Sequence, residues 1–238
     1  MTMILTKRYK SYRFGLSSNL ADKQLDNLIR LFGLPTGKGD SVLGGRSSVT
    51  IAELEGAGSV VIKYYTRGGL VRYFVKQRYL RWGKTRCQVE YEMLCKVRRI
   101  GVGAPEPVAF IRTGGLFYKA WLVTREIKHQ QSLAELSRAD ENRARIVMKK
   151  LLDQISILIN SSILHIDLHP GNVLVNRDDR VFLVDFDKAR VYRGNKNRLR
   201  DRYIKRWRRA VIKHHLPEIL LETMRAGLQK TINEPEIL

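Results

Sequence analysis

The sequence predicts an α+β fold in two lobes, the first rich in strands and the second in helices. Three observations lead there. Up to about residue 127 the apolar residues fall in short runs bounded by Gly, Ser and Pro, and from residue 128 they recur at helical spacing. The chain has 238 residues and is 44% hydrophobic, enough for one large domain or two small lobes with a buried core. Late in the chain, three polar positions, Asp167, Asn172 and Asp185, each adjoin a short apolar run, as in a loop held by strands. The expected division is an N-terminal basic and helical extension over 1–40, an N-lobe over 41–127 and a C-lobe with basic terminal helices over 128–238, with the connector near residues 125–130.

The elements follow in order. Leu20, Leu25, Leu28, Ile29 and Phe32 form a stripe of period 3.6 that Gly33 and Pro35 end. Val42-Leu43, then Val49 and Ile51, flank a Gly-Gly-Arg-Ser-Ser turn, and Ser59 to Tyr65 read as the next strand. Arg67, Arg72, Lys76, Arg78, Arg81, Lys84 and Arg86 then follow with no acidic residue among them. A helix is expected from about Lys84 to Ile100, closed by Gly101 and Gly103, and strands near Val108–Ile111 and Phe117–Thr124. Ser132-Leu-Ala-Glu135 has the spacing of a capping box, and 142–163 reads as a long amphipathic helix. Asn172–Val175 and Val181–Asp185 are short apolar runs separated by an Arg-Asp-Asp-Arg turn. What remains is helical and very basic, and neither repeats nor low-complexity tracts occur.

Composition narrows the function classes. Forty-four Lys and Arg against 23 Asp and Glu give a net charge of +21, which favours a polyanionic partner such as nucleic acid, anionic lipid or a phosphorylated glycolipid. No stretch reaches the roughly 18 consecutive apolar residues of a membrane span. Lys7, Arg8 and Lys10 arrive too early for a secretory signal, so a cytosolic location is expected. Cys87 and Cys95 lack metal or disulfide spacing and read as packing residues.

The chemistry concentrates in His165-Ile-Asp167-Leu-His169-Pro-Gly-Asn172, with Asp185-Phe186-Asp187 beginning thirteen residues after Asn172. Asp167 on a loop can accept a proton from a hydroxyl. Asn172 offers an amide oxygen and Asp185 a carboxylate, hard ligands of the kind Mg²⁺ takes while keeping positions for phosphate oxygens. Phosphoryl transfer from ATP needs this set, and the order and spacing are those of a kinase catalytic loop and metal-binding segment. Such chemistry also calls for a lysine on the nucleotide phosphates and a glutamate to hold it. Lys63 ends the run Val60-Val61-Ile62, and Glu90 lies 27 residues on in the expected helix. Glu92 is the alternative, about 200° away around that helix. Gly44, Gly45 and Ser47 stand where backbone N–H groups would cradle phosphate, although a full GxGxxG is lacking and a plain hairpin turn is the competing reading. His169 stands where protein kinases carry Lys, and no Ala-Pro-Glu closes an activation loop, so the phrase is similar to small-molecule kinases of the aminoglycoside and choline type.

A narrower resemblance is spread along the chain. Lys63-Tyr-Tyr-Thr-Arg67-Gly-Gly-Leu, Arg78-Tyr-Leu-Arg-Trp82, Pro105-Glu-Pro107-Val, Gly115-Leu-Phe-Tyr118, Leu122-Val-Thr-Arg-Glu126-Ile, Gln131-Ser-Leu-Ala-Glu-Leu136 and Val184-Asp-Phe-Asp187-Lys resemble the bacterial lipopolysaccharide core kinases, especially the Kdo (3-deoxy-manno-octulosonic acid) kinases, over about residues 41–225. The resemblance implies a protein-kinase-like bilobal fold that transfers the γ-phosphate of ATP to a Kdo or heptose hydroxyl of the inner core, with Mg²⁺. It implies Lys63 and Glu90 as the ion pair, Asp167 as the base, Asn172 and Asp185 as metal ligands, and Glu126-Ile127 at the hinge where backbone groups hold adenine.

The charge fits that reading. Residues 193–213 hold ten basic residues and one acidic, a net of +9, with Tyr203, Ile204, Trp207, Val211 and Ile212 at helical spacing. A basic amphipathic helix with an aromatic anchor suits the anionic cytoplasmic face of the inner membrane, and a lobe-packing helix with a solvated basic face is the competing reading. The expected partners are a lipid A–Kdo precursor and that membrane surface, with nucleic acid disfavoured. The alternatives are an atypical RIO-like kinase and, outside enzymes, a basic pseudokinase scaffold, against which the complete Lys/Glu/Asp/Asn/Asp set argues.

Overall fold

A computed structural model describes residues 4–33, 48–65, 79–80, 83–115 and 117–230. The chain forms two compact units, residues 1–95 with 105–126 and residues 96–104 with 127–238. The segment 96–104, which the sequence groups with the strands before it, belongs to the second unit.

The first unit is built on an antiparallel sheet. Its strands are β1 (Leu5–Tyr9), β2 (Tyr12–Leu16), β3 (Ser48–Leu54), β4 (Gly58–Tyr64), β5 (Tyr79–Leu80), β6 (Pro107–Gly114) and β7 (Phe117–Arg125), ordered β1-β2-β6-β7-β4-β3 with β5 also on β7. Period-2 alternation sorts the side chains. Val60 and Ile62 of β4, Ala109 and Ile111 of β6, and Trp121 and Val123 of β7 share a core with Leu25 and Leu28 of α1 (Asp22–Leu31). Lys63, Leu122 and Phe110 are successive cross-strand partners and so lie on the opposite face. There Tyr91 of α2 (Arg86–Arg99) meets Phe110 edge-on at 5.1 Å. The hairpin between β3 and β4 turns at Glu55–Ala57, where Gly56 and Gly58 take positive φ of 77° and 72°.

The N-terminal segment is not a separate helical extension. Its helix is present as α1, but Leu5–Tyr9 and Tyr12–Leu16 form a hairpin whose second strand pairs with β6. The basic residues that suggested an extension lie on the outer strands: Arg8 and Arg13 are exposed, while Phe14 and Leu16 are buried. The edge strand β1 is charged, a common way to end a sheet, while β2 beside it feeds Phe14 and Leu16 into the core.

In the second unit, α3 (Leu133–Ala139) begins with a capping box: Ser132 Oγ accepts from the Glu135 N–H at 3.1 Å, and the Glu135 carboxylate accepts from the Ser132 N–H at 2.7 Å. The long α4 (Glu141–Asn160) buries Val147, Met148, Leu151, Ile155 and Leu158. It packs tightly on α6 (Ile219–Lys230), since a Cβ at Gly227 would lie 2.3 Å from Leu152 Cδ1. Short strands β8 (Gln131–Ser132), β10 (Val173–Val175) and β11 (Val181–Leu183) form one small sheet, and β9 (Ile163–Leu164) pairs with β12 (Arg190–Val191). α5 (Lys196–Lys213) buries Leu199, Tyr203, Trp207, Ala210 and Val211. Trp207 is 0% exposed and its Nε1–H donates to the Leu220 carbonyl at 3.0 Å. Trp207 is thus a core residue, as the competing lobe-packing reading of this helix has it, with its buried N–H satisfied as indole burial requires.

Gly15 ties the sheet together. It pairs with Phe110, and a Cβ there would lie 2.1 Å from the Phe110 ring, which is itself pressed on Tyr91. Gly15→Ala is therefore expected to destabilise the protein by about 1–3 kcal/mol through overpacking, read as a lower urea midpoint; an unchanged midpoint would show that the ring gives way freely.

Candidate active site

In the first unit the strand period carries Lys63 to the face that α2 covers. Its Nζ donates to both oxygens of Glu90, at 2.9 and 3.1 Å. Glu90 is 2% exposed, so this is a buried, two-pronged ion pair. Glu92 points elsewhere and pairs with Lys84 at 2.6 Å, which resolves the choice between the two glutamates. Tyr65 is a partner the sequence reading missed. Its hydroxyl donates to Glu90 Oε2, Lys63 Nζ lies 5.3 Å from its ring centre, and Arg86 Cζ lies 5.6 Å from it. The available signal was spacing: Tyr65 follows Lys63 by two, so both leave the strand on one face. Cys87, one turn before Glu90, is buried, and burial pushes its thiol up to about 11, as a packing residue requires.

Glu126 closes β7's hydrogen bonding. Its N–H donates to the Ser59 carbonyl at 3.0 Å and its carboxylate accepts from Ser59 Oγ at 2.5 Å. Ile127, the other residue expected at the hinge, is half-buried. Gly44, Gly45 and Ser47 lie outside the described residues, as does most of the basic run 67–82.

In the second unit the loop after β9 is held from several directions. Tyr203 Oη donates to the Ile163 carbonyl at 2.8 Å and accepts from the His165 N–H at 3.0 Å. His165 is fully buried, which lowers its pKa and keeps it neutral, so Nε2–H donates to the Val184 carbonyl at 2.9 Å. Its ring packs on Phe186 at 4.5 Å. His169 caps a 3₁₀ turn over Pro170–Asn172, with Nδ1 accepting from the Gly171 N–H at 3.1 Å. Burial first, then the Arg206 charge, lowers His169 to about 4.

Three sequence-predicted residues meet around this loop. Asn172 Nδ2 donates to the Asp167 carbonyl at 3.0 Å, so the amide nitrogen is committed and its oxygen is the atom left for a metal. The Asn172 carbonyl accepts from the Val184 N–H at 3.0 Å, which sets the chain just before Asp185 against Asn172. Asp185 has φ +63°, a left-handed conformation that non-glycine residues adopt rarely and that clusters at functional sites. Among the described residues no group of three or more His, Cys, Asp and Glu could hold a metal. The candidate set is one amide oxygen and one carboxylate, the hard-oxygen pair that Mg²⁺ supplements with phosphate and water. The Asp167 carboxylate receives two cations: Arg206 Nη2 at 2.7 Å on Oδ1 and Lys188 Nζ at 3.8 Å on Oδ2. Burial alone would raise this carboxyl, but the Arg206 hydrogen bond and charge, with Lys188 and His169 adding, hold it below the ordinary range. Arg206 was not singled out by the sequence, because one arginine among ten basic residues carries no positional signal.

Two outcomes follow from this geometry. Glu90→Ala removes the carboxylate that both hydrogen bonds from Lys63 reach in a buried site and should cost about 3–5 kcal/mol, against less than about 1 kcal/mol for Glu92→Ala on its exposed partner; equal losses in denaturant titrations would reverse the assignment. The folded state holds His169 neutral, so its stabilising contribution is complete above the unfolded value of 6.5 and fades as pH falls toward 4. His169→Gln should accordingly flatten part of the loss of stability between pH 6.5 and about 4, and an unaltered slope would place the titration elsewhere.

Comparison with known proteins adds a family. The profile of the lipopolysaccharide kinase (Kdo/WaaP) family matches residues 43–225. The 3-deoxy-D-manno-octulosonic acid kinase of Vibrio parahaemolyticus is 30% identical over 149 residues, 61% of this chain and 62% of its own length. That of Vibrio vulnificus is 30% identical over 134 residues, 55% and 56% of the two lengths. The kinase of the same description from Vibrio cholerae is 28% identical over 173 residues, 70% and 68%. The matched part thus spans about three fifths of the first two relatives. With a family profile covering most of its length, the chain belongs to the lipopolysaccharide kinase (Kdo/WaaP) family.

Proposed function

We propose that this chain transfers the γ-phosphate of ATP to a hydroxyl of 3-deoxy-D-manno-octulosonic acid (Kdo) in a lipopolysaccharide precursor. The observation that carries the reading is the loop around Asp167, in which Asn172 is hydrogen-bonded to the Asp167 backbone and Asp185 follows directly on the residue bonded to Asn172. Kdo, rather than heptose, is favoured because the relatives are described as 3-deoxy-D-manno-octulosonic acid kinases.

Each residue then has a task. Lys63, fixed by Glu90 and Tyr65, is suited to the nucleotide phosphates. Asn172 Oδ1 and the Asp185 carboxylate would hold Mg²⁺, which when bound neutralises the phosphate oxygens. Asp167 orients the acceptor hydroxyl and takes its proton on Oδ2. As the hydroxyl oxygen bonds to the γ-phosphorus, the bond from that phosphorus to the bridging oxygen breaks and ADP leaves. Because Asp167 is held ionised, its main contribution is to align the hydroxyl, with proton acceptance late in a transition state that is largely dissociative.

The reading includes a peripheral location on the cytoplasmic face of the inner membrane. Among the described residues no helix is long and apolar enough to cross a membrane. Support comes from α5, where Lys196, Arg198, Arg202, Lys205, Arg208, Arg209 and Lys213 are exposed while the aromatic residues face inward. Each such cation contributes on the order of 1 kcal/mol at an anionic surface.

The test is transfer from γ-labelled Mg-ATP to Kdo₂-lipid A and to a heptose-containing core. The wild type should label the Kdo₂-lipid A, and Asp167→Asn should slow transfer by about 10²–10⁴; labelling of the heptose core alone would replace the acceptor. Co-sedimentation with vesicles should require anionic lipid and weaken when Arg202, Arg208 and Arg209 are changed together to Gln. Equal sedimentation with zwitterionic vesicles would exclude the electrostatic contribution.

A further inference from the structure

Arg206 is the one long cation of α5 aimed at the reacting loop rather than at solvent or at its own helix. The helix does not need it for packing, since Leu199, Tyr203, Trp207, Ala210 and Val211 form the buried face. Its side chain is 28% exposed, so a solute can reach it. Its position is nonetheless fixed. Trp207 beside it is fully buried and bonded to Leu220, and Tyr203, one turn earlier, is bonded at both ends of the Ile163–His165 stretch. The guanidinium is therefore presented to Asp167 by a rigid support, not by a mobile side chain that happens to find a carboxylate.

Two cations converge on the Asp167 carboxylate. Arg206 and Lys188 both lie within 4 Å of the Asp167 carboxylate, one on each oxygen. The hydrogen bond to Asp167 uses one N–H, and a guanidinium carries five in a planar fork that matches a second carboxylate. The proposed acceptor is an acid sugar, so a carboxylate and several hydroxyls sit on one residue. A cation bonded to the residue that receives the hydroxyl is within one sugar's width of where that carboxylate must be.

We propose that Arg206 is the acceptor-binding residue that recognises the sugar carboxylate, bridging it to Asp167 Oδ1 so that the hydroxyl is delivered to Asp167 Oδ2. The proposal rests on the acid-sugar kinase reading above. Lys188, more exposed and 3.8 Å from Oδ2, stands beside the other oxygen as a second cation. The arrangement would select acid sugars over neutral ones, because a neutral acceptor leaves two cations facing a single carboxylate.

The experiment uses the full chain with two acceptors, Kdo₂-lipid A and the same lipid with its Kdo carboxyls converted to carboxamides, and follows KM for acceptor, KM for ATP and kcat. Arg206→Gln should raise the acceptor KM of the carboxylate form by about 10- to 100-fold, the worth of a hydrogen bond to a charged group. It should leave the KM of the carboxamide form, already poor with the wild type, nearly unchanged. Arg206→Lys should restore part of the preference, and it carries the test if Arg206→Gln does not fold. A fall in kcat that is the same for both acceptors, with KM unaltered, would overturn the proposal and make Arg206 a positioning residue for Asp167. A raised KM for ATP with the acceptor KM unaltered would overturn it in favour of a phosphate contact. Transfer by the wild type to neither lipid, with ATP still bound, would overturn the acid-sugar reading and this proposal with it.

Discussion

The attachment of α5 to the loop after β9 is the constraint on which the second unit's chemistry depends. A short loop carrying an aspartate, a histidine and an asparagine has no intrinsic reason to keep one conformation, and each fixed residue costs about 1–2 kcal/mol of backbone entropy. Tyr203 offsets that cost by bonding the main chain on both sides of Leu164, and Arg206 by bonding the Asp167 side chain. Buried Trp207 fixes the helix that carries both. The loop is also held from its other side, where His165 and Asn172 bond the backbone at Val184. The geometry of the polar set thus comes from a helix whose residues lie some forty positions later in the chain.

The first unit solves a similar problem with a sheet. The alternation of β4 sends Val60 and Ile62 to one core and Lys63 to the other face, so the lysine is delivered by strand register rather than by a loop. Glu90 is placed by the helix that packs on that face through Tyr91 and Phe110. A buried charge pair is costly to form and is tolerated when its remaining lone pairs are satisfied. The Tyr65 hydroxyl does this for Glu90. The pair is in this sense a three-residue unit, in which Tyr65 bonds the same carboxylate as Lys63.

How much of this was legible in the sequence depended on range. The loop residues Asp167, Asn172 and Asp185 could be read because their spacing is local and their side chains do chemistry that few residue types can do. α4, α5 and the capping box at Ser132 could be read because helical periodicity and capping act within a few residues. The β1–β2 hairpin was missed because its apolar pattern is only Phe14 and Leu16 beside basic edge residues, and its partner strand β6 lies about a hundred residues away. For Trp207 the helical spacing left an anchor and a packing residue both open, and the choice depended on Leu220, which no local pattern marks. Tyr65 and Arg206 were missed for the same reason: each acts on a residue distant in sequence, and neither residue type is diagnostic by itself.

Asp167 and Asp185 are assigned different work, one on the acceptor hydroxyl and the other on the metal, and a magnesium titration of the transfer rate separates them. For Asp185→Asn the account predicts a higher half-saturating Mg²⁺ concentration and partial recovery of rate in excess metal. For Asp167→Asn it predicts a low rate at saturating Mg²⁺ with the half-saturation point unmoved. Recovery of the Asp167 variant by excess Mg²⁺, or identical titrations for the two variants, would contradict the division of roles on which the mechanism rests.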